Sequence, residues 1–291
     1  LVLRQGRVVI DGGDTGITWD PSTLFTTPEH QDTYHPTLTL PGSDTDGDGA
    51  PDWWEIKWGY DPTVPDDHAH LDPDGDGLTN LQECFTDAMG SNPFHKDVFL
   101  EIDWLTSLAP GVTNQPPQKY LDQMIAAYAQ HNITLHVDIG NLGGGEELPS
   151  KAYLTYEDIA NDYWDHFLND DLNNPRKGVF HYGLLCDGSE SGGFAVIGWD
   201  DLDSFTIACQ RLQEKYTHYT RGWLSVCSSM HELGHLEGLI AARFGGIDNM
   251  AAIHIREKGF WEYRNYRSCL NYCYTYFLMN YSDGSHGAND F

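Results

Sequence analysis

His231, Glu232 and His235 stand in the run His231-Glu-Leu-Gly-His235. On a helix, residues four apart share a face, so both imidazoles reach one metal ion from the same side. The carboxylate beside the first ring then lies where it takes a proton from an activated water, which is the chemistry of a zinc hydrolase. Around the motif, Trp223, Val226, Met230, Leu233, Leu236 and Leu239 recur at helical spacing, so the stretch from Thr220 predicts a helix that carries it.

A catalytic zinc takes three protein ligands and keeps one position open, and the motif supplies two of the three. Downstream candidates are Asp248, His254, Glu257 and Glu262, and the end of the helix decides among them. A helix that runs through Phe244 to Gly245-Gly246 ends about 13 Å past His235 at ~1.5 Å per residue. The chain then needs at least about four extended residues to return. Asp248 barely manages that distance, whereas His254 does so comfortably, and its neighbours Ala251-Ala-Ile and Ile255 read as a short strand. A helix that breaks at Gly238 brings Asp248 within easy reach. The spacing favours His254 and keeps Asp248 as the alternative, with Glu257 and Glu262 behind both.

A second chemistry lies upstream. Residues 44–55 read Asp-Thr-Asp-Gly-Asp-Gly-Ala-Pro-Asp-Trp-Trp-Glu, and residues 72–83 read Asp-Pro-Asp-Gly-Asp-Gly-Leu-Thr-Asn-Leu-Gln-Glu. Both follow the twelve-position calcium loop, with oxygen side chains at positions 1, 3, 5 and 9, glycine at 6 and glutamate at 12. The expected ligands are Asp44, Asp46, Asp48, Asp52, Glu55 and the Ala50 carbonyl in the first loop. In the second they are Asp72, Asp74, Asp76, Asn80, Glu83 and the Leu78 carbonyl. No long helices flank these loops, so the two Ca2+ ions are expected to be structural rather than sensory.

These residues need a scaffold. Residues 1–40 form a short mixed segment with a strand at Arg7-Val-Val-Ile10, and residues 41–93 hold the calcium loops. From 94 to 291 strands and helices alternate. Asp97–Leu105, Ile133–Ile139, Val179–Cys186 and Phe194–Trp199 read as strands, and 118–131 and 154–172 as amphipathic helices. That order predicts an α/β catalytic domain with a twisted mixed sheet and a motif-bearing helix.

The order of elements and the run His231-Glu-Leu-Gly-His-Leu-Glu-Gly238 resemble the metzincin clan of zinc metallopeptidases over residues 94–291. The two acidic loops resemble thrombospondin type 3 calcium repeats of secreted prokaryotic proteins. The clan resemblance makes His231 and His235 zinc ligands, Glu232 the general base and Gly238 the turn glycine. The clan's third histidine falls on Ala241, which cannot bind zinc, and an aspartate in that role has precedent in the clan. The methionine turn beneath the zinc maps to Ser268-Cys-Leu-Asn-Tyr272, with Leu270 in the methionine position and Tyr272 as the residue that stabilises an oxyanion. A methionine also stands in Phe277-Leu-Met-Asn-Tyr281, nine residues later.

Composition narrows the partners. The chain of 291 residues carries 44 acidic against 16 basic residues, a formal charge of −28 that repels a phosphate backbone and argues against nucleic acid. Bound calcium or a salt-adapted surface would each account for part of this charge. An apolar fraction of 40% supports a globular core, and no run is long enough to span a membrane. Six cysteines without a CxxC suggest disulfides and an oxidising compartment. With no leader at Leu1, the chain reads as a trimmed or mature secreted or cell-surface form. The expected activity is that of a secreted zinc endopeptidase acting on protein or peptide substrates. The alternative is a calcium-stabilised pseudopeptidase serving as an interaction protein.

Overall fold

The computed structural model describes residues 2–4, 7–10, 13–18, 36–196, 202–285 and 288–291. Strands β1 (Val2–Arg4), β2 (Arg7–Ile10) and β3 (Gly13–Thr18) pair antiparallel as a small meander, and β2 coincides with the strand read at Arg7. The two acidic loops then each lead into a short helix, α1 (Asp52–Trp58) and α2 (Asn80–Thr86).

The rest is a mixed six-stranded sheet with helices on both faces. Its strands are β4 (Asp97–Leu105), β5 (Thr134–Asp138), β6 (Glu147–Leu148), β7 (Phe180–Cys186), β8 (Gly193–Ala195) and β9 (Ser204–Ala208). The order is β5-β4-β7-β9-β8, with β6 also on β4. All pairings are parallel except that of β8 on β9, which places an antiparallel strand at one edge.

Strand β4 is buried on both sides, as a central parallel strand must be. Leu100, Ile102 and Trp104 pack with α3 (Gln118–Ala129) and α6 (Arg221–Leu236). Phe99 and Leu105 face the opposite core, with α4 (Tyr156–Asp162) and its continuation through Phe167. Leu78 of the second acidic loop belongs to that second core, so this loop is anchored on the sheet. Helix α5 (Cys209–Lys215) leads toward α6, and α7 (Lys258–Tyr263) follows a 3-10 turn at Met250–Ile253.

Two local elements differ from the sequence reading. Strand β9 is entirely buried and only five residues long, so it lacks the alternation that marks a half-exposed strand. The residues around His254 form a 3-10 turn followed by irregular chain rather than a strand. Residues 197–201, the second half of the strand read at Phe194, lie outside the described residues. All six cysteines are free thiols, five of them buried, so the expected disulfides are not formed in this structure. Among the described residues, no helix is long and apolar enough to cross a membrane.

Candidate metal centre

Helix α6 begins where Thr220 accepts a hydrogen bond from the Trp223 N–H at 3.2 Å, a side-chain N-cap. Its other end decides the site. Gly238 takes φ +84°, the Leu239 N–H bonds the Gly234 carbonyl at 2.8 Å, and the Gly238 N–H bonds that of His235 at 3.0 Å. This pair of bonds is a Schellman motif, and only glycine enters its left-handed position cheaply. The helix therefore stops at Leu236, and the extension through Phe244 that favoured His254 does not occur. Ala241 is exposed beyond the break.

The early stop returns the chain to the motif. Asp248 approaches His231 Nε2 at 3.0 Å and His235 Nε2 at 3.2 Å, and the two Nε2 atoms are 3.2 Å apart. Asp248 has φ +55°, a left-handed conformation that aspartate tolerates better than most residues. Its N–H bonds the Leu270 carbonyl at 3.1 Å, which fixes the turn that aims its carboxylate. His254, by contrast, is exposed and outside this group. Glu257 and Glu262 are exposed too, and Glu262 pairs with Lys258 at 3.3 Å.

Hydrogen bonds set the tautomers. The Nδ1 of His231 lies 2.9 Å from the Cys269 carbonyl, and that of His235 lies 2.7 Å from the Leu239 carbonyl. A carbonyl only accepts, so both Nδ1 atoms carry hydrogen and both Nε2 lone pairs point at one spot. Bonds of ~2.0–2.1 Å to a tetrahedral zinc place its ligands roughly 3.3 Å apart. The 3.0–3.2 Å spacings of His231, His235 and Asp248 suit such an ion. Without a cation, a proton on an imidazole must separate ring from carboxylate. Burial alone would raise the Asp248 carboxyl, but hydrogen bonding to His231 and His235 outweighs it and holds the group well below the usual carboxylate range.

Glu232 is buried beside the histidines. Burial raises its carboxyl, while the imidazoles and a hydrogen bond from the Ala195 backbone oppose the rise. A Cβ at Gly193 would collide with Glu232 Oε1, so edge strand β8 lies directly against this carboxylate. Gly234 has a similar role inside the motif, since a Cβ there would meet the Tyr281 ring at 2.9 Å and Leu270 Cδ2 at 3.2 Å. Leu270 is fully buried beneath the helix, and Tyr272 stacks on His231 with ring centroids 5.7 Å apart. The Tyr272 phenol is pushed above its normal range by burial and by the nearby Asp248 carboxylate. Tyr281 instead donates its hydroxyl to the Met230 carbonyl at 2.6 Å, a packing role.

The acidic loops converge as well. Asp44, Asp46 and Asp48 bring oxygens together, as do Asp72, Asp74 and Asp76. Two further groups reach beyond the twelve-residue template, Asp48–Glu55–His68 and Asp76–Glu83–Asp97. Both carboxylate oxygens of Glu55 and of Glu83 are buried without a hydrogen-bond partner, as are Asp46 Oδ2 and Asp74 Oδ2. Burial, then the neighbouring aspartates, push Glu55 up to about 7 and Asp74 up to about 6. Burial followed by Asp97, Asp76 and Asp74 pushes Glu83 up to about 9. Seven to eight oxygens around a calcium ion would satisfy such a set.

The ninth positions behave otherwise. Asp52 accepts from the Thr45 N–H at 2.7 Å and the Thr45 hydroxyl at 2.8 Å, and Asn80 Nδ2 meets Tyr60 Oη at 3.1 Å and His68 Nδ1 at 2.8 Å. Asp52 stands outside the clustered carboxylates, whereas Asn80 Oδ1 is buried with no hydrogen-bond partner. Ala50 and Leu78 are buried within their loops. His68 and Asp97 escaped the sequence reading because the loop template ends at position 12 and both stand past it. His136 bonds Asp97 at 2.6 Å, and His181 bonds Asp203 at 2.8 Å. Comparison with family models, with curated proteins and with solved structures gives no match.

Proposed function

We propose that this protein is a secreted zinc-dependent endopeptidase of metzincin-like design, with calcium held in its two acidic loops. The observation that carries this reading is the meeting of His231, His235 and Asp248 at 3.0–3.2 Å, with Glu232 buried alongside. The donor set of two neutral imidazoles and a carboxylate is that of a catalytic zinc, with a fourth position left for substrate. When bound, zinc polarises the peptide carbonyl and makes water a stronger nucleophile near neutral pH.

The protein's own groups do the rest. Glu232 takes the proton of the attacking water and passes it to the departing amine as the C–N bond breaks. Its raised carboxyl suits a group that must accept and then release a proton. Tyr272, stacked on His231, would donate its hydroxyl to the oxygen that gains charge. Strand β8, at the sheet edge and against Glu232, offers backbone groups to an extended peptide. Pairing there would lay the scissile bond across the metal.

The pseudopeptidase reading rested on Ala241 and Leu270, which stand where the clan has a ligand and a methionine. Asp248 supports the peptidase against the first point, because it offers a third donor from the chain beyond the helix break. The test is cleavage of unstructured casein by zinc-loaded protein, with and without 1,10-phenanthroline, and by Glu232→Gln. Zinc-dependent cleavage lost in Glu232→Gln supports the peptidase. A zinc-loaded wild type that leaves casein intact would favour the interaction protein.

A further inference from the structure

The second acidic loop is followed by Asp97, the first residue of β4, and that strand lies next to the centre of the sheet. The Asp97 carboxylate converges with those of Asp76 and Glu83, and their oxygens lie within 4.8 Å of one another. Three carboxyl groups thus share one small volume, and Asp97 is 3% and Glu83 1% exposed. Neither Glu83 carboxylate oxygen has a hydrogen-bond partner. The Ser91 hydroxyl donates to the Glu83 backbone carbonyl at 2.8 Å.

A buried carboxylate with no donor at either oxygen asks for a cation. The Lys96 ammonium, close by in sequence, bonds the Gly75 carbonyl at 3.4 Å. We propose that Asp97 is a calcium ligand, and that one calcium ion held by Asp76, Glu83 and Asp97 clamps the second acidic loop onto the central sheet. This rests on the calcium reading of the loops and goes beyond it, because Asp97 belongs to the sheet and not to the loop.

The surroundings of Asp97 are those of an oriented ligand. His136 on the neighbouring strand β5 bonds Asp97 Oδ1 at 2.6 Å, and the Asn92 N–H donates to Oδ2 at 2.9 Å. Each oxygen keeps a second lone pair for the ion, while the ring and the amide fix the carboxylate's direction. The Asp97 N–H in turn donates to Asp76 Oδ2 at 2.7 Å, which holds the loop in register with the strand. In the first loop the Asp66 N–H reaches Asp48 Oδ2 in the same way at 2.9 Å. There, however, the residue that closes the group is His68, so among the described residues only the second loop is closed by a carboxylate from the sheet.

The test uses the full chain, calcium and EGTA, and three proteins: wild type, Asp97→Asn and Asp97→Glu. Native mass spectrometry counts the ions, and thermal melting is followed as calcium is restored. Asp97→Asn is expected to hold one calcium fewer, or to need roughly tenfold more calcium or beyond for its last ion. In excess EGTA it should melt at or above the wild type, since a like charge has gone from beside Glu83. Asp97→Glu, which keeps the charge, should recover part of the binding. An Asp97→Asn protein with the wild-type count and midpoint overturns the proposal. So does a melt lowered equally with and without calcium, which would make Asp97 a structural hydrogen-bonding group. A wild type that binds no calcium fails the loop reading itself, a separate outcome.

Discussion

The imidazole cluster on α6 and the acidic cages upstream are both built from buried ligands, yet they differ in how they balance charge. Around His231, His235 and Asp248 the chain supplies acceptor and potential cation together, so a proton can stand where a metal would. In the cages carboxylates dominate, with His68 as the one imidazole among the clustered groups, and neither oxygen of Glu55 or Glu83 has a hydrogen-bond partner. The first site is organised by its hydrogen bonds before any metal arrives. On the calcium proposal, the second depends on a cation for the fold around it. Metal removal should therefore silence one site and loosen the other.

The largest effect expected is chemical. Glu232→Gln should lower casein cleavage by about a thousandfold, within the range for losing a general base. Zinc per chain should stay at the wild-type level, because the ligands remain. Near wild-type turnover in this variant would remove Glu232 from the mechanism.

Next comes the third ligand. Asp248→Ala should weaken zinc binding by about a hundredfold or more, comparable to His235→Ala, since each leaves two ligands on the ion. His254→Ala should retain its zinc after dialysis. The opposite ranking would mean that the exposed imidazole folds inward when metal binds.

Calcium removal tests the other half of the comparison. Excess EGTA should lower the melting temperature by about 10 °C, given a contribution of a few kcal/mol from ions bound well above their dissociation constants. It should also open residues 41–93 to proteolysis, while phenanthroline should leave the melt much less changed. Equal shifts from both chelators would erase the distinction between the sites.

A smaller effect follows from protons. In the ion-free protein Glu55, Asp74 and Glu83 are raised to about 7, 6 and 9. Carboxyls raised by folding bind protons that the unfolded chain releases, so their contribution is full below pH ~4 and fades as pH rises through the folded values. In EGTA the melting temperature should rise by a few degrees as pH falls from 8.5 to 5.5. With calcium bound this trend should flatten, and a melt in EGTA that falls over the same interval would contradict the cage electrostatics.

Much of this was legible in residue types. The Thr220 cap, the periodic apolar face of α6 and the two loop templates depend on local spacing, which a sequence displays. The strands at Asp97, Thr134 and Phe180 stood out as apolar runs for the same reason. The third ligand was harder because it turned on one glycine. Gly238 is a strong helix stop, yet the apolar residues after it keep a helical appearance, and Ile240 through Phe244 invited an extension that the chain does not make. Asp97 and His68 were hidden for another reason. Their roles come from segments meeting in space past the loop template, and no local pattern marks such a meeting.

The most direct test is anomalous diffraction at the zinc edge from crystals of the full chain grown with zinc. One strong peak is expected roughly 2.0–2.2 Å from His231 Nε2, His235 Nε2 and an Asp248 oxygen, with Glu232 beside it and not bound. A zinc bound without Asp248, or no peak at these histidines, would contradict the assignment.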